Sequence, residues 1–226
     1  MRIVSYNIRK AVGLDWKRDP ARILQVLAEI DADIVVLQEA DRRVGARAGV
    51  FSDAALAQQG YHIVPLAQRP LSHGWHGNAI FLRDALFPKG APDQVATRVP
   101  IPTLEPRGAV SVRLGQFEVI GTHLALTAGM RRKQLQALHD HVTRGHFPAI
   151  VAGDFNARVA HLEPLSDVCQ LIIPGPSFHT SRPRARLDRF AVFGGLRVLG
   201  SHVHHSTQAA RASDHLPVVL DFEVNR

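Results

Sequence analysis

Pro148-Ala149-Ile150-Val151-Ala152-Gly153-Asp154-Phe155-Asn156 is a run of apolar chain that stops abruptly at a glycine, a carboxylate and an amide. A short apolar run closed by a turn signal reads as a strand buried on both faces. The polar groups beyond it then lie at a sheet rim, where residues two apart point to one side. Asp154 and Asn156 so placed could hold a general base beside a donor for a developing oxyanion. The other reading is that they punctuate a turn. Ser213-Asp214-His215 repeats the pattern just before a second apolar run, Leu216-Pro217-Val218-Val219-Leu220.

Outward from that stretch, the same association of strands with polar ends recurs. The opening Met1-Arg2-Ile3-Val4-Ser5-Tyr6-Asn7-Ile8 alternates as a strand does. Asp19-Pro20 reads as an N-cap followed by proline at the first helical position, and Ile23, Val26, Leu27 and Ile30 recur at helical spacing. Asp31-Ala32-Asp33 ends that helix. Ile34-Val35-Val36-Leu37 is then a buried strand whose carboxyl end delivers Gln38-Glu39. Further strands are expected at 79–82, 109–114, 117–122, 149–152, 189–193, 197–202 and 216–222, and a second amphipathic helix over 130–142 turns Leu135, Leu138 and Val142 inward. Many strands with few helices imply two packed sheets covered by helices. Asn7, Glu39, His123, Asp154, Asn156, Asp188 and the Asp214-His215 pair all fall at strand ends.

The 226 residues, 46% of them hydrophobic, suit one large domain over 1–226, with no Gly/Ser linker, repeat or low-complexity tract to divide it. One cysteine, Cys169, excludes an intramolecular disulfide framework and a thiolate zinc site, and its expected role is core packing. Without a basic leader and long apolar stretch at the start, or any segment long enough to span a bilayer, the expectation is a soluble, cytoplasmic protein with no obligate protein partner. Lys and Arg total 27 against 20 for Asp and Glu, a net charge of +7 that favours anionic partners: nucleic acid, phosphorylated metabolites or acidic lipid head groups. The basic residues are spread along the chain, so most are expected on ordinary solvated surface and a handful against the substrate.

Six segments in order, Ser5-Tyr6-Asn7-Ile8, Leu37-Gln38-Glu39, Gly121-Thr122-His123-Leu124, Gly153-Asp154-Phe155-Asn156, Arg186-Leu187-Asp188 and Ser213-Asp214-His215-Leu216-Pro217-Val218, resemble the endonuclease/exonuclease/phosphatase superfamily. Gly13-Leu14-Asp15 and Trp75-His76-Gly77-Asn78-Ala79-Ile80 are similar to its short bacterial members. The resemblance implies a four-layer α/β sandwich, two mixed β-sheets face to face with helices outside, that hydrolyses a phosphoester with a divalent metal.

By this resemblance Glu39 holds the metal, with Asn7 near it and Asp214 completing an oxygen-rich shell of the kind Mg²⁺ or Mn²⁺ prefers. A structural salt bridge is the other reading of Glu39, and a hydrogen bond to the neighbouring loop that of Asn7. Asp154 orients and deprotonates the attacking water, and Asn156 positions that water or donates to a phosphoryl oxygen. His215, held by Asp188, stabilises charge growing on the phosphate, and a carboxylate beside an imidazole raises its pKa to suit that role. His123 is a second phosphate ligand. Arg107, in Glu105-Pro106-Arg107-Gly108-Ala109, would clamp a substrate phosphate, and Asn78 would support the phosphate site, with surface arginine and turn residue as their ordinary readings. His202, His204 and His205 read as coincidental.

The chain departs from the family pattern at Arg189, where many members have Tyr, and at Arg9-Lys10; both would make the rim more basic. The expected function is a Mg²⁺- or Mn²⁺-dependent phosphodiesterase or nuclease, nucleic acid being the favoured partner. The alternatives are hydrolysis of a phospholipid or small phosphorylated metabolite, and a non-catalytic nucleic-acid-binding module.

Overall fold

Asp19 accepts a hydrogen bond from the Arg22 amide at 3.2 Å and Pro20 sets the first turn, so helix α1 (Pro20–Ile30) starts where its orphan amides are met. It ends at Asp31, whose φ of 51° lies in the left-handed region. Ile23, Val26, Leu27 and Ile30 form its buried face. That face covers strands β1 (Arg2–Asn7) and β2 (Ile34–Gln38), which pair in parallel with Asn7 opposite Gln38.

The computed structural model describes residues 1–103, 107–158 and 162–224. Beyond β2 the chain runs through α2 (Asp53–Gln58), β3 (Tyr61–Ile63), β4 (Ala79–Arg83), β5 (Gln94–Val99), β6 (Ala109–Leu114) and β7 (Phe117–His123). It continues through α3 (Ala128–Gly145), β8 (Ala149–Asp154), β9 (Gln170–Ile172), β10 (Asp188–Phe193), β11 (Leu196–Val203), α4 (Ala209–Ala212) and β12 (Val218–Val224). Among the described residues one sheet has the order β11-β12-β1-β2-β4-β3 and the other β5-β6-β7-β8-β10-β9. In each, one parallel pair is bridged by a helix, β1-α1-β2 and β7-α3-β8, and the remaining pairs are antiparallel. This is the expected sandwich of two mixed sheets with helices outside.

The alternation of side chains assigns each strand residue to a layer. Ile3, Ile34, Val36, Ile80, Ile150, Ala152, Phe190, Val192, Val218 and Leu220 meet between the sheets. Val4, Tyr6, Val35, Leu37 and Phe81 face α1, while Ile120, Val151, Ala191 and Phe193 face α3 through Leu135, Leu138 and Val142. Each valine, leucine, isoleucine or phenylalanine taken fully out of water contributes about 1.5–3 kcal/mol. Following the inter-sheet face to its end brings Ile3 to Asn7, Ile150 to Asp154 and Phe190 to Asp188, in steps of two. The strands that fill the core thus also deliver the polar residues to one rim.

Several elements lie where the sequence pattern raises no expectation: α2, β3, β5, β9 and α4. The final strand begins at Val218 rather than 216, because Pro217 has no amide to donate to a ladder. Cys169 packs against the outer α3-side core only partly buried. No helix among the described residues is long and apolar enough to cross a membrane.

Candidate active site

Asp154 is the last residue of β8 and lies beside His123 on β7 and opposite Asp188 on β10. Gly153 permits this register: a Cβ there would lie 1.9 Å from the Thr122 carbonyl oxygen, so only glycine lets β7 and β8 close beside the Asp154 carboxylate.

That carboxylate is 2% exposed and fully engaged. Its Oδ2 accepts from Asn7 Nδ2 at 3.1 Å and lies 3.3 Å from His123 Nε2 and 3.8 Å from His215 Nε2. Its Oδ1 accepts from the Asn156 amide at 2.9 Å. Burial opposes ionisation, but the His123 hydrogen bond, the charges of His123 and His215 and the Asn156 N–H outweigh it and hold the carboxyl well below the usual range.

His215 Nδ1 donates to Asp188 Oδ2 at 2.8 Å. Burial lowers the His215 pKa, yet the charge and hydrogen bond of Asp188, with Asp154 and Asp214 nearby, raise it to about 9. The imidazolium therefore persists at neutral pH. Its Nε2 is too far from Asp154 for a hydrogen bond, which leaves that N–H for another acceptor. Asp188 also accepts from Ser177 Oγ, while its Oδ1 is buried with no partner among the described residues. Burial, the largest cause, raises the Asp188 carboxyl above the usual range, with the charge and hydrogen bond of His215 opposing it. His123, by contrast, is held below the ordinary imidazole value by burial, against the pull of Asp154.

The residues expected around a metal lie next to this centre. Ser213 Oγ donates to the Asn7 carbonyl at 2.7 Å, placing Asp214 beside the end of β1. Asn7 Oδ1 accepts from the Arg9 amide at 3.1 Å, the loop hydrogen bond of its other reading. Glu39 forms an ion pair with Lys10 Nζ, and Asp214 Oδ2 lies 3.5 Å from Arg9 Nε. Both carboxylates thus face a positive charge, as those of a cation site would, and the donor set suits a hard divalent ion. A second set able to hold a metal is Asp154, Asp188 and His215, whose ligand atoms lie within 4.8 Å of one another. Within that set His215 and Asp188 are already hydrogen-bonded to each other.

Asn156 departs from the geometry expected of it. β8 ends at Asp154, Asn156 has a left-handed φ of 49°, and its side-chain amide donates to the Leu124 carbonyl at 2.9 Å. Strand alternation therefore does not carry past Asp154, and Asn156 acts on the carboxylate through its backbone N–H. Asn78 is fully buried, donating to the Gly108 carbonyl at 3.0 Å, so it braces the segment that bears Arg107. Arg107 lines the cavity beside His123 and donates to the Leu124 carbonyl at 3.0 Å; Glu105 and Pro106 lie outside the described residues.

Arg189 is not on the rim. It is 1% exposed, bonded to the carbonyls of Arg186 and Ala157, and its pKa is lowered to about 10 by burial. His204 pairs with Glu29 of α1 at 2.9 Å and His202 lies exposed on β11, away from this centre. The basic residues are less evenly spread than the sequence suggests. Lys10, Arg42, Arg43, Arg47, Arg69 and Arg107 line one cavity with Glu39 and His123, a convergence that has no linear signature because it joins segments far apart in the chain.

Residues 4–215 match the model of the family described as Endonuclease/Exonuclease/phosphatase. Among solved structures, the chain is similar to the endonuclease/exonuclease/phosphatase from Bacteroides vulgatus, at 18% identity, TM-score 0.76 and coverage of 99% of this chain and 98% of that one. It is also similar to the endonuclease/exonuclease/phosphatase from Beutenbergia cavernae, at 23% identity and TM-score 0.72, covering 99% of this chain and 71% of that one. A third similarity is to the human Nocturnin catalytic domain with bound sulfate anion, at 21% identity and TM-score 0.70, covering 100% and 93%. No curated protein sequence matches the chain.

Proposed function

Because the chain belongs to the endonuclease/exonuclease/phosphatase family and is a phosphoester hydrolase, we propose that it is a Mg²⁺- or Mn²⁺-dependent phosphodiesterase of the nuclease kind. The reading rests on one arrangement: an ionised Asp154 between two imidazoles, one of them a cation fixed by Asp188. Nucleic acid is the favoured substrate because the chain carries a net charge of +7. Structurally similar proteins include D. rerio TDP2 complexed with single-strand DNA product and a mannosyl-6-phosphatase from Bacteroides thetaiotaomicron.

Asp154 receives the proton of the attacking water. A carboxylate held so far below neutrality is a weak base, so it acts chiefly by orienting the water. Asn7, His123 and the Asn156 amide fix the carboxylate for that task. His215 offers Nε2–H to a phosphoryl oxygen, and Asp188 keeps it protonated as negative charge grows there. Arg107 and His123 bound the opposite wall. Glu39, Asn7 and Asp214 would hold the divalent cation. When bound, the ion would neutralise phosphoryl charge and make a bound water more acidic.

Purified protein incubated with single- and double-stranded DNA, RNA, phosphatidyl liposomes and phosphomonoesters, with Mg²⁺, Mn²⁺ or chelator, tests this. Cation-dependent cleavage of a nucleic acid is expected. Turnover confined to lipids or monoesters would overturn the nuclease reading, and binding without turnover would favour a non-catalytic module.

A further inference from the structure

Two arginine-rich cavities flank the Asp154 carboxylate. In the first, beside Glu39 and His123, Arg42, Arg43 and Arg69 are exposed and Arg47 is half-buried; none forms an ion pair among the described residues. The loop carrying Arg42 to Arg47 is anchored where its arginines are not. Arg42 N–H donates to the Ala48 carbonyl at 2.9 Å, and Asp41 Oδ1 accepts from the His73 amide at 2.7 Å. The second link ties the loop to the segment bearing Arg69 and Trp75. The Trp75 ring lies on Gly108, where a Cβ would come within 2.8 Å of it, so glycine beside Arg107 allows the indole into the cavity wall.

The second cavity is lined by Arg158, Arg182, Arg184 and Arg186, all exposed and without an ion pair among the described residues, together with Phe178. Phe178 packs against His215 in a tilted pair, with ring centroids 4.9 Å apart and an interplanar angle of 49°. The order across the rim is therefore first cavity, His123, Asp154, His215, Phe178, second cavity. Each flank offers unpaired guanidinium groups and one half-buried aromatic ring.

Unpaired arginines beside aromatic rings match a phosphate backbone whose bases can stack, the chemistry by which single strands are held. A small phosphomonoester would occupy the centre and leave both flanks unused. We propose that the two cavities are the two halves of a single-stranded nucleic-acid track crossing the Asp154–His215 centre, so that the bond cut is internal to the strand. The proposal rests on the phosphoester-hydrolase reading above and adds to it the substrate's form and the endonucleolytic outcome.

The test uses the full chain and fluorescein-labelled oligothymidylate, with binding read by anisotropy in chelator. Two triple variants are compared, R42A/R43A/R69A and R182A/R184A/R186A. Each is expected to weaken binding at least tenfold and to flatten the dependence of log affinity on log salt by about two, as follows from removing three guanidinium–phosphate pairs. With cation present, the native protein is expected to linearise circular single-stranded DNA. Weaker binding in only one variant, or circles left intact while linear strands are degraded, would overturn the track in favour of cleavage at an end. Unchanged binding in both variants would overturn it as well, as would arginine-dependent binding to phosphatidylserine vesicles in place of oligothymidylate. Binding that depends on both clusters with no hydrolysis of any substrate would instead sink the proposed reaction and leave the track standing.

Discussion

Asp188 determines the state of His215, and this has consequences that can be measured. Burial alone would lower the imidazole below its ordinary 6.5; Asp188 chiefly, with Asp154 and Asp214, raises it to about 9. A group whose folded pKa lies above its unfolded value stabilises the fold fully below about pH 6.5, and that contribution is lost as pH rises through about 9. In the proposed mechanism activity needs the imidazolium, so the alkaline limb of kcat/KM is expected near pH 9, and Asp154, held well below the usual carboxylate range, should add no acid limb near neutrality. In Asp188→Asn the alkaline limb should shift down from about 9, with turnover at neutral pH reduced by roughly a hundredfold. A pH–rate profile of the variant that kept its limb near 9 would show that another group holds the proton. Lys10 supports a second prediction. Its ammonium sits on Glu39, so a divalent cation held there as proposed would have to displace it. Lys10→Met is expected to tighten Mn²⁺ binding about tenfold by titration calorimetry, about 1.4 kcal/mol; weaker binding would mean that Lys10 supports the site instead.

At the scale of elements, the parallel pair β7 and β8 brings His123 beside Asp154, and its closeness depends on Gly153. Gly153→Ala should cost about 1–3 kcal/mol in urea unfolding through overpacking, and should lower turnover as the two strands part. A variant as stable and active as the native chain would show that the strands can yield without disturbing the site. The strands that carried their own signal were those buried on both faces, such as β2 and β8, because continuous apolar runs allow little else. β5 was not legible: Gln94 to Thr97 alternate between half-buried and exposed, Arg98 is exposed as well and only Val99 is buried, so its strand state comes from pairing with β6 rather than from its own composition. β3 and β9 are each three residues long, too short for any period to register. Asp154, His215 and Asp188 could be read because each adjoins a legible strand. The conformation of Asn156 could not, since it depends on where β8 stops. The arginine cavities could not either, because Arg42 and Arg69 are brought together by long-range contacts such as Asp41–His73 and Gly49–Leu71.

Over the whole molecule, two βαβ halves place their sheets face to face, and the inter-sheet residues that make the core run out at one rim into the proposed catalytic groups. The strands that stabilise the fold therefore also carry the proposed chemistry, while the proposed recognition falls to loops on either side. In the proposed mechanism Asp154, between His123 and the His215–Asp188 pair, performs phosphoester hydrolysis. The most direct measurement is steady-state turnover of a phosphodiester substrate by the native chain, Asp154→Ala and His215→Ala, with the fold of each checked by circular dichroism. Both folded variants are expected to show kcat lower by roughly two or more orders of magnitude. Either one retaining near-native kcat would contradict the role assigned to its residue, and both doing so would move the chemistry away from this rim.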